Sequence, residues 1–249
     1  MTQNVRRFTD PAVFVVAVVA VWWSVTELTG IHTVLLPSPL DVWSILSTRF
    51  GLLLTSMLDT YLVTLEGFGI GAVVGVLAAI VVSSSRRVRA AVYPFLVTLY
   101  VMPKAILIPL FLLWFGLGDL YKLLVIVLLV FFPVCENVTA GIRGVEREML
   151  ELARISQATR WQILRKVTMP YTLPFLAAGL RVGLTEAFIG AVLAEVLAPR
   201  DGIGSRIAES VATSNTQFII AGILFVAAFG IGTYFLLHSI ERRLLFWHH

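Results

Sequence analysis

The chain has 249 residues, a mean hydropathy of +0.90, 58% hydrophobic and only 14% charged residues, and a formal net charge of +4. A soluble domain carries about 25% charged residues, so this chain cannot cover a water-facing surface, and a soluble enzyme is excluded. The basic excess flanks apolar blocks, which assigns it to membrane topology and not to nucleic acid.

The apolar blocks recur along the whole length and imply one integral membrane domain over residues 1–249. A membrane helix needs roughly 20 mostly apolar residues. The first block, 11–28, follows Arg6 and Arg7 and ends in Trp22-Trp23-Ser24 without a small-residue cleavage site, so it is read as a retained span. Next comes a polar stretch, Ile31–Asp59, where Ser38 or Asp41 can cap a short helix lying along the membrane. The second span, 60–83, carries Gly67, Gly69, Gly71 and Gly75, a pattern that lets helix backbones approach closely in lipid. The third, 90–115, holds Pro94, Pro103 and Pro109, which predict a bend or a break. Spans at 121–140, 175–196 and 218–238 complete the set. The single cysteine, Cys135, sits inside an apolar run and reads as a packing residue.

With the N-terminus in the cytoplasm, thirteen basic residues fall inside: Arg6, Arg7, Arg86, Arg87, Arg89, Arg143, Arg147, Arg154, Arg160, Arg165, Lys166, Arg242 and Arg243. Four fall outside: Arg49, Lys122, Arg200 and Arg206. That bias predicts an all-α protein with six transmembrane helices and both termini cytoplasmic.

The longest charged stretch is Arg143–Pro174, which this orientation puts on the cytoplasmic side. Helical spacing aligns Met149, Leu150 and Ala153, and Glu151 stands four residues after Arg147 and three before Arg154. After Ser156-Gln157-Ala158 a second helix can start at Thr159, with Trp161, Leu164 and Val167 on one side. Such a helix–turn–helix suits either lipid headgroups or a docked cytoplasmic partner. Among intramembrane charges, Lys104 and Glu186 are candidates for a polar path, whereas Arg181 can snorkel to the interface. His32, His238, His248 and His249 lack metal-ligand spacing, and the sequence holds no Gly-x-x-x-x-Gly-Lys-Ser/Thr phosphate loop and no catalytic constellation.

The Arg143–Pro174 block resembles the cytoplasmic Glu-Ala-Ala loop of ABC importer permeases. Glu151-Leu152-Ala153 stands at its start and Val167-Thr168-Met169-Pro170 at its end, with Gln157 where the family has glycine. Four further segments are similar to the nitrate, sulfonate and taurine subgroup: Leu36-Pro37-Ser38-Pro39, Met102–Leu110, Leu113-Trp114-Phe115-Gly116-Leu117-Gly118, and Ala194-Glu195 with Gly202-Ile203-Gly204. The resemblance implies a type I importer fold with cytoplasmic coupling helices in the bacterial inner membrane. It implies a second permease copy, two ATPase subunits that bind ATP and Mg, and an external solute-binding protein. The chain itself then has no ATPase site and no cofactor. The ATPase would grip Glu151, Ala153, Gln157, Trp161 and Leu164, and the path would carry a small anion past Lys104 and Glu186. A vitamin or vitamin precursor is the alternative cargo. An ion-coupled secondary transporter would need paired inverted repeats, which the sequence does not display.

Overall fold

The computed structural model describes residues 2–244, and the side chains of residues 13–98 and 101–243. The side chains of Arg6 and Arg7, and both His248 and His249, lie outside the described residues. The described chain is helical: α1 (Thr2–Thr29), α2 (Pro39–Thr48), α3 (Phe50–Ser83), α4 (Arg86–Val101), α5 (Leu107–Phe115), α6 (Asp119–Gly144), α7 (Arg147–Ile155), α8 (Arg160–Ile163), α9 (Met169–Leu197), α10 (Ile203–Ala212) and α11 (Thr216–Leu244).

Among the described residues, four helices are long and apolar enough to cross a membrane: α3, α6, the composite helix Arg160–Leu197 and α11. Val13–Thr29 and Lys104–Phe115 are shorter apolar helices.

The span over 90–115, expected to bend or break at its prolines, is broken. It divides into α4, a single 3₁₀ turn at Lys104–Ile106, and α5. Pro103 causes the break. It has no N–H, and its ring drives Met102 out of the helical region to φ −61°, ψ 133°. Pro109 does no such harm because it falls in the first turn of α5, where backbone N–H groups have no helical partner.

Around α6 the packing is tightest. Gly67, Gly71 and Gly75 of α3 meet Ile126, Val130 and Val134 of α6 in register, one turn apart. A Cβ at these glycines would come to 2.6, 2.7 and 2.9 Å from the facing atoms, so only glycine permits this approach. Gly69 points elsewhere and has nothing within 4 Å. On its other side α6 meets α9 the same way, with Gly179 against Asn137 and Pro133, and Gly190 against Leu129. The α3–α6–α9 layer therefore forms one close-packed unit, and Cys135 is buried within it.

The short helix predicted after Pro37 is α2. Ser38 is its N-cap, and Asp41 closes a reciprocal capping box, with Ser38 N–H donating to Asp41 Oδ2 at 2.9 Å. Trp22 Nε1 donates to the Pro37 carbonyl at 3.1 Å and ties α1 to this segment.

Candidate functional site

Two features stand at opposite ends of the α6–α9 pair. The first is the charged loop. α6 ends with Gly141 against Phe175 and Thr172 and with Gly144 against the Tyr171 ring, so the loop leaves a rigid base. α7 then carries Glu151, exposed, and Ala153, half-buried. Its apolar residues Met149, Leu152 and Ile155 are 48%, 64% and 79% exposed, so much of this apolar surface is left uncovered by the described residues. The expected pairs of Glu151 with Arg147 and Arg154 do not close among the described residues. All three side chains are solvated, and such surface pairs contribute little.

α7 ends in a Schellman motif. The N–H of Gln157 donates to the Arg154 carbonyl at 2.9 Å, and that of Ala158 to the Ala153 carbonyl at 3.0 Å. This closure requires a left-handed residue, and Gln157 takes it at φ 55°. Glycine would adopt that conformation at no steric cost, whereas glutamine strains its Cβ by roughly 1–2 kcal/mol.

Thr159 starts the next helix. Its hydroxyl accepts from Gln162 N–H at 3.3 Å, and Gln162 Oε1 accepts from Thr159 N–H at 2.8 Å. Pro170 and Pro174 stand just before the span expected at 175–196, and the helix runs through both. Residues Leu164–Thr168 form a π turn, and α8 and α9 join into one 38-residue helix, Arg160–Leu197. The wider turn makes room for Pro170, which lacks an N–H and would otherwise press on the carbonyl four residues back. Consequently Trp161, 68% exposed, and Leu164, 45% exposed, sit on the same rod as the membrane-spanning α9.

The second feature is a buried polar cluster at the other end. Glu195 (1% exposed) and Lys122 (3%) form an ion pair of 3.5 Å. Lys122 Nζ also donates to the Asp201 carbonyl at 2.9 Å. Glu195 Oε2 accepts the Gly204 N–H at 2.9 Å and the Thr60 hydroxyl at 2.9 Å, while Thr60 Oγ1 accepts the Ile203 N–H at 2.9 Å. A carboxylate thus caps the N-terminus of α10, where its charge is favoured. Gly202 makes this possible. Its φ is +102°, and a Cβ there would lie 2.1 Å from Glu195 Oε1. The Ala194-Glu195…Gly202-Ile203-Gly204 segment is therefore a pin joining α3, α6, α9 and α10. Lys122, expected as an outer-face topology charge, is instead a buried member of it. Reading single charges beside apolar runs missed this pair, since its partners lie 73 residues apart.

Lys104 occupies the turn between α4 and α5, half-buried, with its Nζ 5.7 Å from the centroid of the Phe132 ring. Irregular backbone at membrane depth persists only where protein or a water-filled path surrounds it. Glu186, half-buried on α9, makes no ion pair with Lys104. Arg181 does not simply snorkel, because it pairs with Glu241 of α11 at 3.5 Å.

Comparison with known proteins decides the family. The model for binding-protein-dependent transport system inner membrane components matches residues 71–246. The chain belongs to that family. It is 34% identical over 236 residues to the putative aliphatic sulfonates transport permease SsuC of Bacillus subtilis, covering 92% of this chain and 84% of that one. It is 34% identical over 253 residues to the riboflavin transport system permease RibX of Chloroflexus aurantiacus, covering 98% and 94%. The taurine transport system permease TauC of Escherichia coli is 30% identical over 243 residues, covering 92% and 86%. The crystal structure of an amino acid ABC transporter with histidines shares the fold at a TM-score of 0.61 and 16% identity, over 80% of this chain and 95% of that one. The protein is an ABC importer permease of the inner membrane, as the loop and the segments around it predicted.

Proposed function

We propose that this permease spans the membrane six times as a single domain, with both termini cytoplasmic, and pairs with a second copy around a path for a small anion such as a sulfonate, nitrate or taurine-like solute. An external binding protein delivers the solute, and two separate ATPase chains bind ATP and Mg. Those chains grip Glu151, Ala153, Gln157, Trp161 and Leu164, while Lys104 and Glu186 line the path.

The observation that carries this reading is the continuous helix Arg160–Leu197. It places exposed apolar side chains, Trp161 and Leu164, on the same helix that reaches the buried pin. A partner that moves this end moves the span. The test is Glu151→Lys. Reversing a charge at the centre of an interface costs about 2–5 kcal/mol, so the ATPase should no longer co-purify and solute uptake should fall at least tenfold. Wild-type co-purification and uptake would sink the coupling assignment.

A vitamin or vitamin precursor is the second reading, favoured by the equal identity to the riboflavin permease. A thermal-shift screen of the partner binding protein against sulfonates, taurine, nitrate and riboflavin separates the two.

A further inference from the structure

Among the cavities that belong neither to the coupling loop nor to the pin, one is lined by charged side chains. It has a volume of about 250 Å³ and lies between α4 and α6. Val82, Leu96 and Phe132 form its apolar part, and Tyr93, Glu136 and Arg143 its polar part. A second cavity of about 480 Å³ shares Tyr93 and Arg143 with it and adds Arg86 and Arg89. Three guanidinium groups therefore line these two adjoining cavities, against a single carboxylate, and Tyr93 and Arg143 stand on the lining of both. The Arg89 guanidinium lies 5.3 Å from the centroid of the Tyr93 ring, which holds it over the cavity wall. Among the described residues neither Arg143 nor Glu136 closes an ion pair. Phe132, at the cavity's inner wall, is the ring over which the Lys104 ammonium sits. The Lys104 ammonium thus sits by the ring of the inner wall, while Arg89 and Arg143 stand on the lining itself.

Basic residues at a helix end and at the inner membrane face are ordinary, since they suit the helix dipole and the topology rule. Those effects need only exposed charge on a surface. They do not require arginines to wall a cavity beside a tyrosine ring and an apolar recess.

We propose that these two cavities form a cytoplasm-facing pocket for the anionic group (sulfonate, carboxylate or phosphate) of a small organic solute, with Arg89 and Arg143 holding the anion and Tyr93 and Phe132 covering its apolar part. The proposal rests on the reading of the protein as an importer of small anions with α7 and α8 in the cytoplasm. The inner volume falls below the roughly 300 Å³ at which drug-sized pockets begin, which fits a solute of a few heavy atoms better than a lipid. Glu136 offsets part of the positive charge and keeps binding weak enough for release.

Cys135, the single thiol of the chain, lines the same cavity and reports on it. The full chain in phosphatidylcholine nanodiscs is treated with three methanethiosulfonates: sulfonatoethyl, trimethylammonioethyl and neutral methyl. Modification is read by mass spectrometry of the Cys135 peptide. Dividing each rate by that of the same reagent with a free thiol in solution removes differences in reagent reactivity, and dividing the result by the neutral reagent's value removes differences in thiol reactivity. The expected result is a preference of roughly tenfold for the sulfonate over the ammonium reagent. That preference should collapse towards equality in Arg89→Gln and Arg143→Gln. Free ethanesulfonate should slow the neutral reagent, and choline should not.

Equal rates in the wild type, or a Cys135 that the neutral reagent cannot reach, would overturn the proposal. If phosphatidylglycerol protects Cys135 from the neutral reagent and ethanesulfonate does not, the occupant is a lipid headgroup and the solute assignment fails. Uptake measured in parallel separates the two readings. Absent sulfonate uptake with an intact charge preference removes the anion-import reading and leaves the pocket. Sulfonate uptake without a charge preference removes the pocket alone.

Discussion

Replacing Gln157 by glycine should tighten the turn that carries the charged loop. Gln157 holds φ 55° because the Schellman closure at Ala153 and Arg154 demands it. A non-glycine residue pays roughly 1–2 kcal/mol there. Glycine removes that strain but loses more conformational freedom on folding, by about 0.4–1 kcal/mol. The difference leaves a net stabilisation of about 0.5–1 kcal/mol, a two- to fivefold change in the local opening equilibrium. Amide hydrogen exchange reads this directly. The Gln157 and Ala158 N–H groups make the two closing bonds, so the exchange of the amides at positions 157 and 158 should slow by that factor in Q157G. Gln157→Ala keeps a Cβ and should leave the rates unchanged. Faster exchange in Q157G, or equal slowing in Q157A, would refute the claim that backbone strain at this position sets the stability of the turn.

Lys122→Met should destabilise the protein by about 3–5 kcal/mol, because Glu195 is then left buried without its counter-charge. The double variant Lys122→Met with Glu195→Gln should recover much of that loss in thermal unfolding, and a strictly additive loss would count against the pair. Gly71→Leu drives a side chain into Val130, whose Cβ already lies 2.7 Å from where a Cβ at this position would sit. It should cost at least about 1–3 kcal/mol, whereas Gly69→Ala, with open space around it, should be neutral or slightly stabilising. Thr159→Ala removes one half of the capping box and should cost about 1 kcal/mol, seen as faster exchange at the Gln162 amide.

What could be read from the sequence was mostly local. Ser38 with Asp41 and Thr159 with Gln162 follow the spacing that caps require, and the structure uses both pairs. The glycines of α3 were legible as a packing surface because their four-residue spacing is itself a helical period. Pro103 marked the break in 90–115 because proline acts on its immediate neighbour. What failed to show was long-range. Lys122 and Glu195 lie on different helices, and each alone looks like a charge at a membrane boundary. The continuity through Pro170 depends on a π turn, which has no composition signal of its own. Arg181 and Glu241 meet only once α9 and α11 pack.

These long-range features also decide how the molecule can move. Close glycine contacts join α3 and α9 to opposite sides of α6, and interiors packed this densely slide or rotate as units rather than bend. The pin at Glu195 fastens the far end of the same block to α10. A displacement applied at Trp161 passes along one helix into this block and has little slack to be lost in. The helical path is interrupted elsewhere, at the extended Met102–Pro103 segment between α4 and α5 and at the turn around Gln157. Lys104 stands beside the first of these points. The break that Pro103 imposes on the third apolar segment therefore brings a positive charge to the Phe132 ring of α6, the central helix of the close-packed block.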